Sequence, residues 1–321
     1  MKNSKLGNYL ELLRNNSAIS NIIRVCIGVV FVLSAVLKYA SIEAFDLYIY
    51  EHNLFNFAIS STLTRLLIAA EFSLGIFLIA NLFIRFSYTI TYVFLIAFTI
   101  YLLMQPYLFD VQINNCFCFG DKIILNHKQS ITKNIILIIL MLCINIKYYK
   151  KRKCELLFFI LIVLFSLSSF MAINAPDYLY KKIYHSEIRI NKLRYYNALK
   201  KSESYDFYSE GRKLICFFSH HCTYCKRASQ KIEKIRIKNG IPSEQIVCVF
   251  WDATDSSDVN EFFKITKVDF SRYTFFPIDD FLKITNGQMP IILFSNNGEI
   301  TKSFNYAGLD ESEMVRFLKN N

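Results

Sequence analysis

Five stretches of mostly apolar residues, near 22–41, 66–84, 87–108, 131–147 and 155–173, constrain this 321-residue chain more than any other feature. Each holds about 17 or more residues, which at ~1.5 Å of helical rise is the length class that crosses ~30 Å of hydrocarbon. Lipid offers backbone amides no partners, so these runs are expected as helices, and short connections make an antiparallel bundle the economical arrangement. Composition agrees: 53% of residues are hydrophobic, with 30 Phe and 20 Tyr, and the mean hydropathy of +0.28 is too apolar for an ordinary soluble enzyme. From about Asp177 the chain turns polar and charged. The expected fold class is a multi-pass α-helical membrane bundle (four spans plus a fifth linking span) followed by a soluble α/β domain.

A net charge of +11 invites a nucleic-acid reading, but its placement argues against one. Lys2, Lys5, Arg14 and Arg24 precede or open the first span, Arg85 lies between spans two and three, and Lys147, Lys150, Lys151, Arg152 and Lys153 lie between spans four and five. The opposite side carries Lys38, Arg65, Lys122, Lys128 and Lys133, diluted by Glu43, Asp46, Glu51, Asp110 and Asp121. The positive-inside rule then puts the N-terminus in the cytoplasm and the C-terminal domain outside, in the periplasm if the membrane is a bacterial inner one. The first run lacks a clean small-residue cleavage site and is expected to remain as a span. Residues 1–20 read as a cytoplasmic lead-in, about 42–62 and 109–130 as external loops, and 176–205 as a partly helical stalk. Tyr39, Tyr48, Tyr50 and Tyr107 are placed where interfacial aromatic belts occur.

Beyond the stalk the pattern reads strand at Lys213–Phe218, helix at Cys222–Lys238, strand at Gln245–Trp251, helix at Asp258–Lys264, then strands at Pro290–Phe294 and Ile300–Phe304 around Asn296-Asn297-Gly298, a hairpin signal. A last helix spans Asp310–Leu318, with Asp310 as N-cap. Cys222-Thr223-Tyr224-Cys225 opens the first of these helices. Amide N–H groups at a helix N-terminus stabilise a thiolate, so Cys222 is expected to attack and Cys225 to resolve. His220 and His221 would add to this if protonated. The same four residues, His220, His221, Cys222 and Cys225, offer a metal-handling alternative, although no second ligand pair follows at zinc-finger spacing. Cys216 and Cys248 lie in strand runs and read as packing residues.

Met289-Pro290 stands directly before the apolar run Ile291–Phe294, where proline is awkward. With the strand–CxxC–helix unit, these residues resemble the thioredoxin superfamily over roughly 206–321. That resemblance implies a cis bond at Met289-Pro290 whose backbone faces the Cys222–Cys225 pair and docks substrate peptides. The stretch between Trp251 and Gly287 departs from the compact length of that family.

A second pair, Cys116-Phe117-Cys118, lies in the external loop before span four. One residue between the cysteines makes any disulfide between them a small, strained ring, suited to exchange rather than stapling. The basic lead-in, Leu33–Lys38, Glu71 in the second span and the Cys116–Asp121 motif together resemble the MauE branch of the DoxX-like proteins over about 21–150, with 151–175 as the separate fifth span. That family is associated with methylamine-dehydrogenase maturation; fusion to a thioredoxin-like domain implies a more general thiol-redox role. Glu71 is expected five to eight residues into span two, ~8–12 Å deep by helical rise. A lone carboxylate there is costly. Paired with Lys38, it reads either as a polar site that moves protons as thiols oxidise, beside a quinone, or as a structural pair. Cys26 and Cys143 lie toward the cytoplasmic ends of their spans, where an inward-facing pair would import electrons.

Both CxC and CxxC pairs fall on one face of the membrane in this topology. The leading expectation is a membrane-bound thiol–disulfide oxidoreductase that takes electrons from the thiols of envelope proteins at Cys222/Cys225. It would pass them to Cys116–Cys118 and on to a quinone. Alternatives are the same relay run reductively, a copper-delivery protein, and a bundle that merely anchors a binding module. Sequence does not fix potentials, so it leaves the direction open.

Overall fold

The computed structural model describes residues 17–108, 116–144, 154–184, 187–201, 208, 210–252 and 254–319. Most of the lead-in, the first part of the second external loop and the basic cluster at 147–153 lie outside the described residues. The chain divides into two compact units, one holding the described residues up to His52 with Thr62–Asn174, the other Asn53–Ser61 with Ala175 onward.

In the first unit, helices run over Ser17–Tyr39 (α1), Ile42–Tyr50 (α2), Phe57–Ala80 (α3), Ile84–Leu108 (α4), His127–Leu142 (α5) and Glu155–Ile173 (α6), with a short strand at Cys118–Asp121 (β1). Among the described residues four helices are long and apolar enough to cross a membrane: α1, α3, α4 to Tyr107, and α6. The expected fourth span is shorter than the run suggested. α5 has 16 residues, because Asn126 and Gln129 form a capping box that starts it early, and it stops at Leu142 before Cys143. The helix near the second span starts at Phe57 rather than 66, and the loop expected over 42–62 contains α2. Tyr48 and Tyr50 on α2 are buried and form no belt, whereas Tyr107 is exposed.

Ile27 and Phe31 of α1, Leu74 and Phe77 of α3, Leu95 of α4 and Leu137 and Met141 of α5 pack into one apolar core. α6 joins its edge through Phe159, whose ring stacks 4.6 Å from Phe77; most of its remaining apolar side chains are exposed, as lipid permits. Association in lipid rests on close packing rather than water exclusion. α1 and α3 approach at Gly28 and Gly75, where a Cβ on either would lie 2.8 Å from the other's carbonyl oxygen. Two charges counted as outside loop charges are in fact interior. Arg65 pairs with Asp46, and Lys38 pairs with Glu71. Arg24, counted on the inner side, donates to the carbonyls of Leu78 and Ile79 in the last turn of α3.

In the second unit, α7 (Asp177–Tyr184) and α8 (Lys192–Lys201) precede β2 (Arg212–Phe217), α9 (Thr223–Lys238), β3 (Ile246–Trp251), α10 (Ser256–Thr266), β4 (Arg272–Phe276), α11 (Ile278–Thr285), β5 (Ile291–Asn296), β6 (Glu299–Phe304) and α12 (Glu311–Lys319). The sheet order is β4-β3-β2-β5-β6. The first three strands are parallel, and β5 and β6 are antiparallel additions. Near-continuous apolar strands such as Ile246–Val249 fit a sheet covered on both faces. Tyr195 and Leu199 of α8 and Phe281 and Ile284 of α11 cover one face over Phe217, Val249 and Leu293. Ile232 and Ile235 of α9 and Phe262 of α10 are buried on the other, with Phe262 against Phe218 and Phe250.

Residues 176–205, expected as a stalk, therefore supply a helix to the domain core. β4 and α11 were absent from the expected pattern. β4 is an edge strand with its first residues exposed, so it lacks the apolar alternation that marks a buried strand. The hairpin and the last cap are as expected: Asn297 and Gly298 have φ of 49° and 81°, and Asp310 Oδ1 accepts from the Glu313 amide at 3.0 Å.

The α1–α3 crossing gives a direct check. Gly75→Ala sets a methyl against backbone that cannot move aside. Its apparent Tm in detergent should fall by several degrees, the range of ~1–3 kcal/mol of overpacking; an unchanged Tm would mean the helices do not meet there.

Candidate functional site

Strand β2 ends at Phe217, and the chain then turns through Ser219–His221 into α9, with Cys222 as its N-cap in extended conformation. Cys222 is half-buried and Cys225, one turn on, fully buried. The Cys222 thiol is lowered to about 6. The largest cause is the hydrogen bond from the Cys225 thiol, followed by the amides of Cys225 and Tyr224 at the helix start and the Lys226 charge, all against the cost of burial. Burial, then its partner Cys222, pushes Cys225 far up, although the Ser219 amide lies 3.3 Å from its sulfur. One sulfur is thus held as an accessible nucleophile and the other as a protected thiol. This asymmetry follows from helix position, since an N-cap faces the free amides and a first-turn residue faces the sheet.

The two histidines precede the helix start. His220 and His221 pack with ring centroids 3.8 Å apart, and His220 Nε2 lies 4.0 Å from Asp258 Oδ2. Neither is among the groups that lower Cys222. Met289-Pro290 is a cis peptide bond. Phe217 pairs with Ile291, so this bond sits at the sheet end from which the chain turns into Cys222. Cys216 and Cys248 face each other across β2 and β3 and are fully buried. Burial holds both thiols protonated.

The second pair is built on a tight turn. Phe117 and Gly120 have φ of 52° and 69°. A Cβ on Gly120 would collide with Ser41 Oγ and lie 2.6 Å from the Leu37 carbonyl oxygen, so the motif needs glycine for β1 to lie against the end of α1. Cys116 and Cys118 are buried, with sulfurs 2.8 Å apart. Ser130, in the first turns of α5, hydrogen-bonds Cys116 Sγ at 2.5 Å. The Cys118 thiol, the Ser130 hydroxyl and the Lys133 charge lower Cys116, whereas the neighbouring sulfur and burial raise Cys118. The CxC pair therefore repeats the asymmetry of the CxxC pair on an unrelated scaffold.

Around the CxC pair lie groups that sequence reading did not single out. Tyr101 hydrogen-bonds His52 Nε2 at 2.6 Å and Tyr48 at 3.0 Å, and Gln105 Nε2 donates to Tyr48 at 3.0 Å. The Phe117 ring packs 4.8 Å from that of Tyr48. These residues come from α2, the α2–α3 connection and α4. The available signal was four polar residues at the ends of apolar runs, which interfacial belts explain equally well. On the other side Lys38 and Glu71 form a buried ion pair. Glu71 lies fourteen residues beyond Phe57, the first residue of α3, which begins earlier than the apolar run. Cys26 is exposed and Cys143 buried; Cys143 donates to the Ile139 carbonyl, and no contact joins the two.

A membrane protein with two dithiol motifs, one on a helical bundle and one on an α/β domain, is the class these features define. Residues 16–146 match the family described as "Methylamine utilisation protein MauE". The chain is also similar to "Protein TlpB" of Flavobacterium psychrophilum, 24% identical over 333 aligned positions covering 88% of this chain and 90% of that one. No solved structure matches the chain.

Two expectations follow. Alkylation of Cys222 by iodoacetamide should rise through about pH 6 and level off above it, since the thiolate reacts. Cys225→Ala removes the main stabilising hydrogen bond and should carry that midpoint toward the ordinary thiol value of ~8.5; a midpoint that stays put would assign the effect to the helix amides instead. Gly120→Ala should disorder the CxC turn, read as faster maleimide labelling of Cys116 and Cys118 at equal protein stability.

Proposed function

We propose that this chain is a membrane thiol–disulfide oxidoreductase in which the Cys222/Cys225 and Cys116/Cys118 pairs exchange electrons. The observation that carries the reading is the matched asymmetry of the two pairs. Each offers one sulfur with a lowered pKa, Cys222 and Cys116, and one buried sulfur held as a thiol, Cys225 and Cys118. An exchange partner needs that division, because one thiolate must attack and the other thiol must wait until a mixed disulfide has formed. A structural staple or a packing cysteine does not.

The α/β domain is read as thioredoxin-like. Support comes from the parallel strands flanked by an antiparallel pair, the CxxC at a helix start and the cis Met289-Pro290 at the same sheet end. In this reading the domain meets cysteine-containing envelope proteins, and residues 206–321 together with α7 and α8 form it. The excess of Lys and Arg in the sequence before the first span and between spans four and five supports a cytoplasmic N-terminus and a periplasmic α/β domain. In the oxidising direction, Cys222 takes electrons from client thiols and forms a mixed disulfide with Cys116, and Cys118 leaves as a thiol. A lipid-soluble acceptor of the quinone class would reoxidise the CxC pair. Tyr101 and His52 supply the hydroxyl and imidazole that could bind such a carbonyl. The reductive direction uses the same bonds in reverse.

The copper-delivery reading finds less support. Among the described residues no three His, Cys, Asp or Glu side chains are arranged to hold a metal ion.

Trapping tests the relay. Cys225→Ser removes the resolving thiol of the CxxC pair, so attack of Cys222 on the Cys116–Cys118 disulfide should accumulate a Cys116–Cys222 disulfide with Cys118 released as a thiol, seen as a mobility shift reversed by dithiothreitol and confirmed by peptide mass. Cys116→Ser with Cys225→Ser should not. Absence of the first adduct, with both pairs titrating independently in the wild type, removes the relay.

A further inference from the structure

Reduction and oxidation of the CxC pair must move protons as well as electrons, and Cys118 is the sulfur whose proton has no direct path to solvent. It is buried, with Cys116 and the Ser130 hydroxyl on one side of it. Beside it a cavity of about 20 Å³ is lined by Ser34, Lys38, Glu71, Cys118, Lys133 and Asn134, among apolar side chains. A space of that size holds about one water molecule. Asn134 Oδ1 is buried without a hydrogen-bond partner, while its amide nitrogen donates to Thr99 at 3.2 Å, so the lining carries an acceptor that a water would satisfy.

The hydrogen bonds beside the cavity fit either protonation state of Glu71. Ser34 Oγ lies 2.7 Å from the Cys118 carbonyl oxygen and 3.0 Å from Glu71 Oε2. A hydroxyl has one proton to donate. With Glu71 ionised, Ser34 turns its proton to the carboxylate. With Glu71 protonated, the carboxyl donates to Ser34, which donates to the Cys118 carbonyl. The Ser34 proton thus follows the state of Glu71, turning between the Cys118 carbonyl and the carboxylate. Lys38 holds the other carboxylate oxygen, and its ammonium rests over the Phe45 and Phe98 rings at 5.6 and 5.9 Å. The other cation at the site, Lys133, lies 4.8 Å from the Phe119 ring. A buried ion pair contributes little net stability against an apolar pair of the same shape, so its presence beside a redox sulfur calls for another reason.

We propose that Glu71 accepts the proton of the Cys118 thiol when the pair closes to a disulfide and returns it when the pair opens, with Lys38 as the positioning residue. The inference rests on the thiol-exchange reading above. Cys116 thiolate attacks one sulfur of a partner disulfide, forming a mixed disulfide and releasing the partner's other sulfur as a thiolate. Cys118 then gives its proton to Glu71 through the cavity and attacks Cys116. The Cys116–Cys118 bond forms, the mixed bond breaks, and the second partner sulfur leaves as a thiolate. Two thiols are oxidised and one disulfide is reduced. The proton on Glu71 passes on to the departing thiolate or to solvent.

Stopped-flow reaction with dithiobis(nitrobenzoate), a small aromatic disulfide, separates the two steps. The full chain in detergent is reduced, with Cys26, Cys154, Cys222 and Cys225 replaced by serine so that the CxC pair reports. Attack by Cys116 releases one equivalent of thionitrobenzoate, and closure by Cys118 releases a second. In Glu71→Gln the first release should keep its rate within about twofold while the second slows by roughly tenfold or more, the scale of a lost proton acceptor. The inflection that Glu71 gives the pH profile of the second release should also disappear, leaving the rise that thiol ionisation itself produces, and Glu71→Asp should restore most of both. A second release unaffected by Glu71→Gln, or an Asp variant as slow as the Gln variant, overturns the proposal. Should the Gln variant not fold, the Asp variant decides alone: its second release is expected to show a displaced pH midpoint, and an undisplaced one overturns the proposal. If the parent protein releases only one equivalent, the CxC pair does not close, and the underlying exchange reading fails with it.

Discussion

Both sites depend on keeping one sulfur of a pair anionic while its neighbour stays a neutral thiol. A thiolate within a protein is unfavourable unless donors face it, and a second thiolate beside the first is more so. The protein meets this twice with helix starts. Cys222 caps α9 and takes its amides, and Cys116 takes the Ser130 hydroxyl in the opening turns of α5. In each case the second sulfur is buried where only the protonated form is tolerated. In the proposed exchange the same electrostatics would set the order of events, with the anionic sulfur attacking first.

The membrane unit shows why this chemistry can be housed among apolar helices. Each interior charge has a specific partner. Arg24 sits on carbonyls in the last turn of α3, Arg65 on Asp46, and Lys38 on Glu71. Glycine contacts between α1 and α3 bring those helices close, and Ser34 and Glu71 meet across that pair. Close packing thus has a chemical consequence: it leaves polar groups of α1 and α3 beside Cys118.

Several elements were legible from local sequence because their signals are local. Asn297-Gly298 needs two positive φ values, Asp310 needs only its own next turn, and a CxxC after an apolar strand opens a helix whatever lies around it. Elements governed by distant packing were not legible. β4 is half-exposed at a sheet edge and carries no alternation. α8 reads as polar because only Tyr195, Ala198 and Leu199 turn inward. The start of α3 precedes the apolar run, because its first turns carry Ser60, Ser61, Thr62 and Thr64 among the apolar residues.

The residues alone determined that the chain carries apolar helices of membrane-spanning length, that a CxxC opens a helix after a strand, and that a second cysteine pair precedes α5. Those follow from hydropathy, from spacing and from helix ends, all properties of neighbours along the chain. Tertiary structure decided what surrounds each sulfur: Ser130 on Cys116, Ser34 and the Lys38–Glu71 pair behind Cys118, and the Tyr48–Tyr101–His52 network beside them. Such contacts depend on how each helix is rotated and how far along its neighbour it is set. A polar side chain in an apolar run meets a partner only when those two quantities bring distant residues to one point.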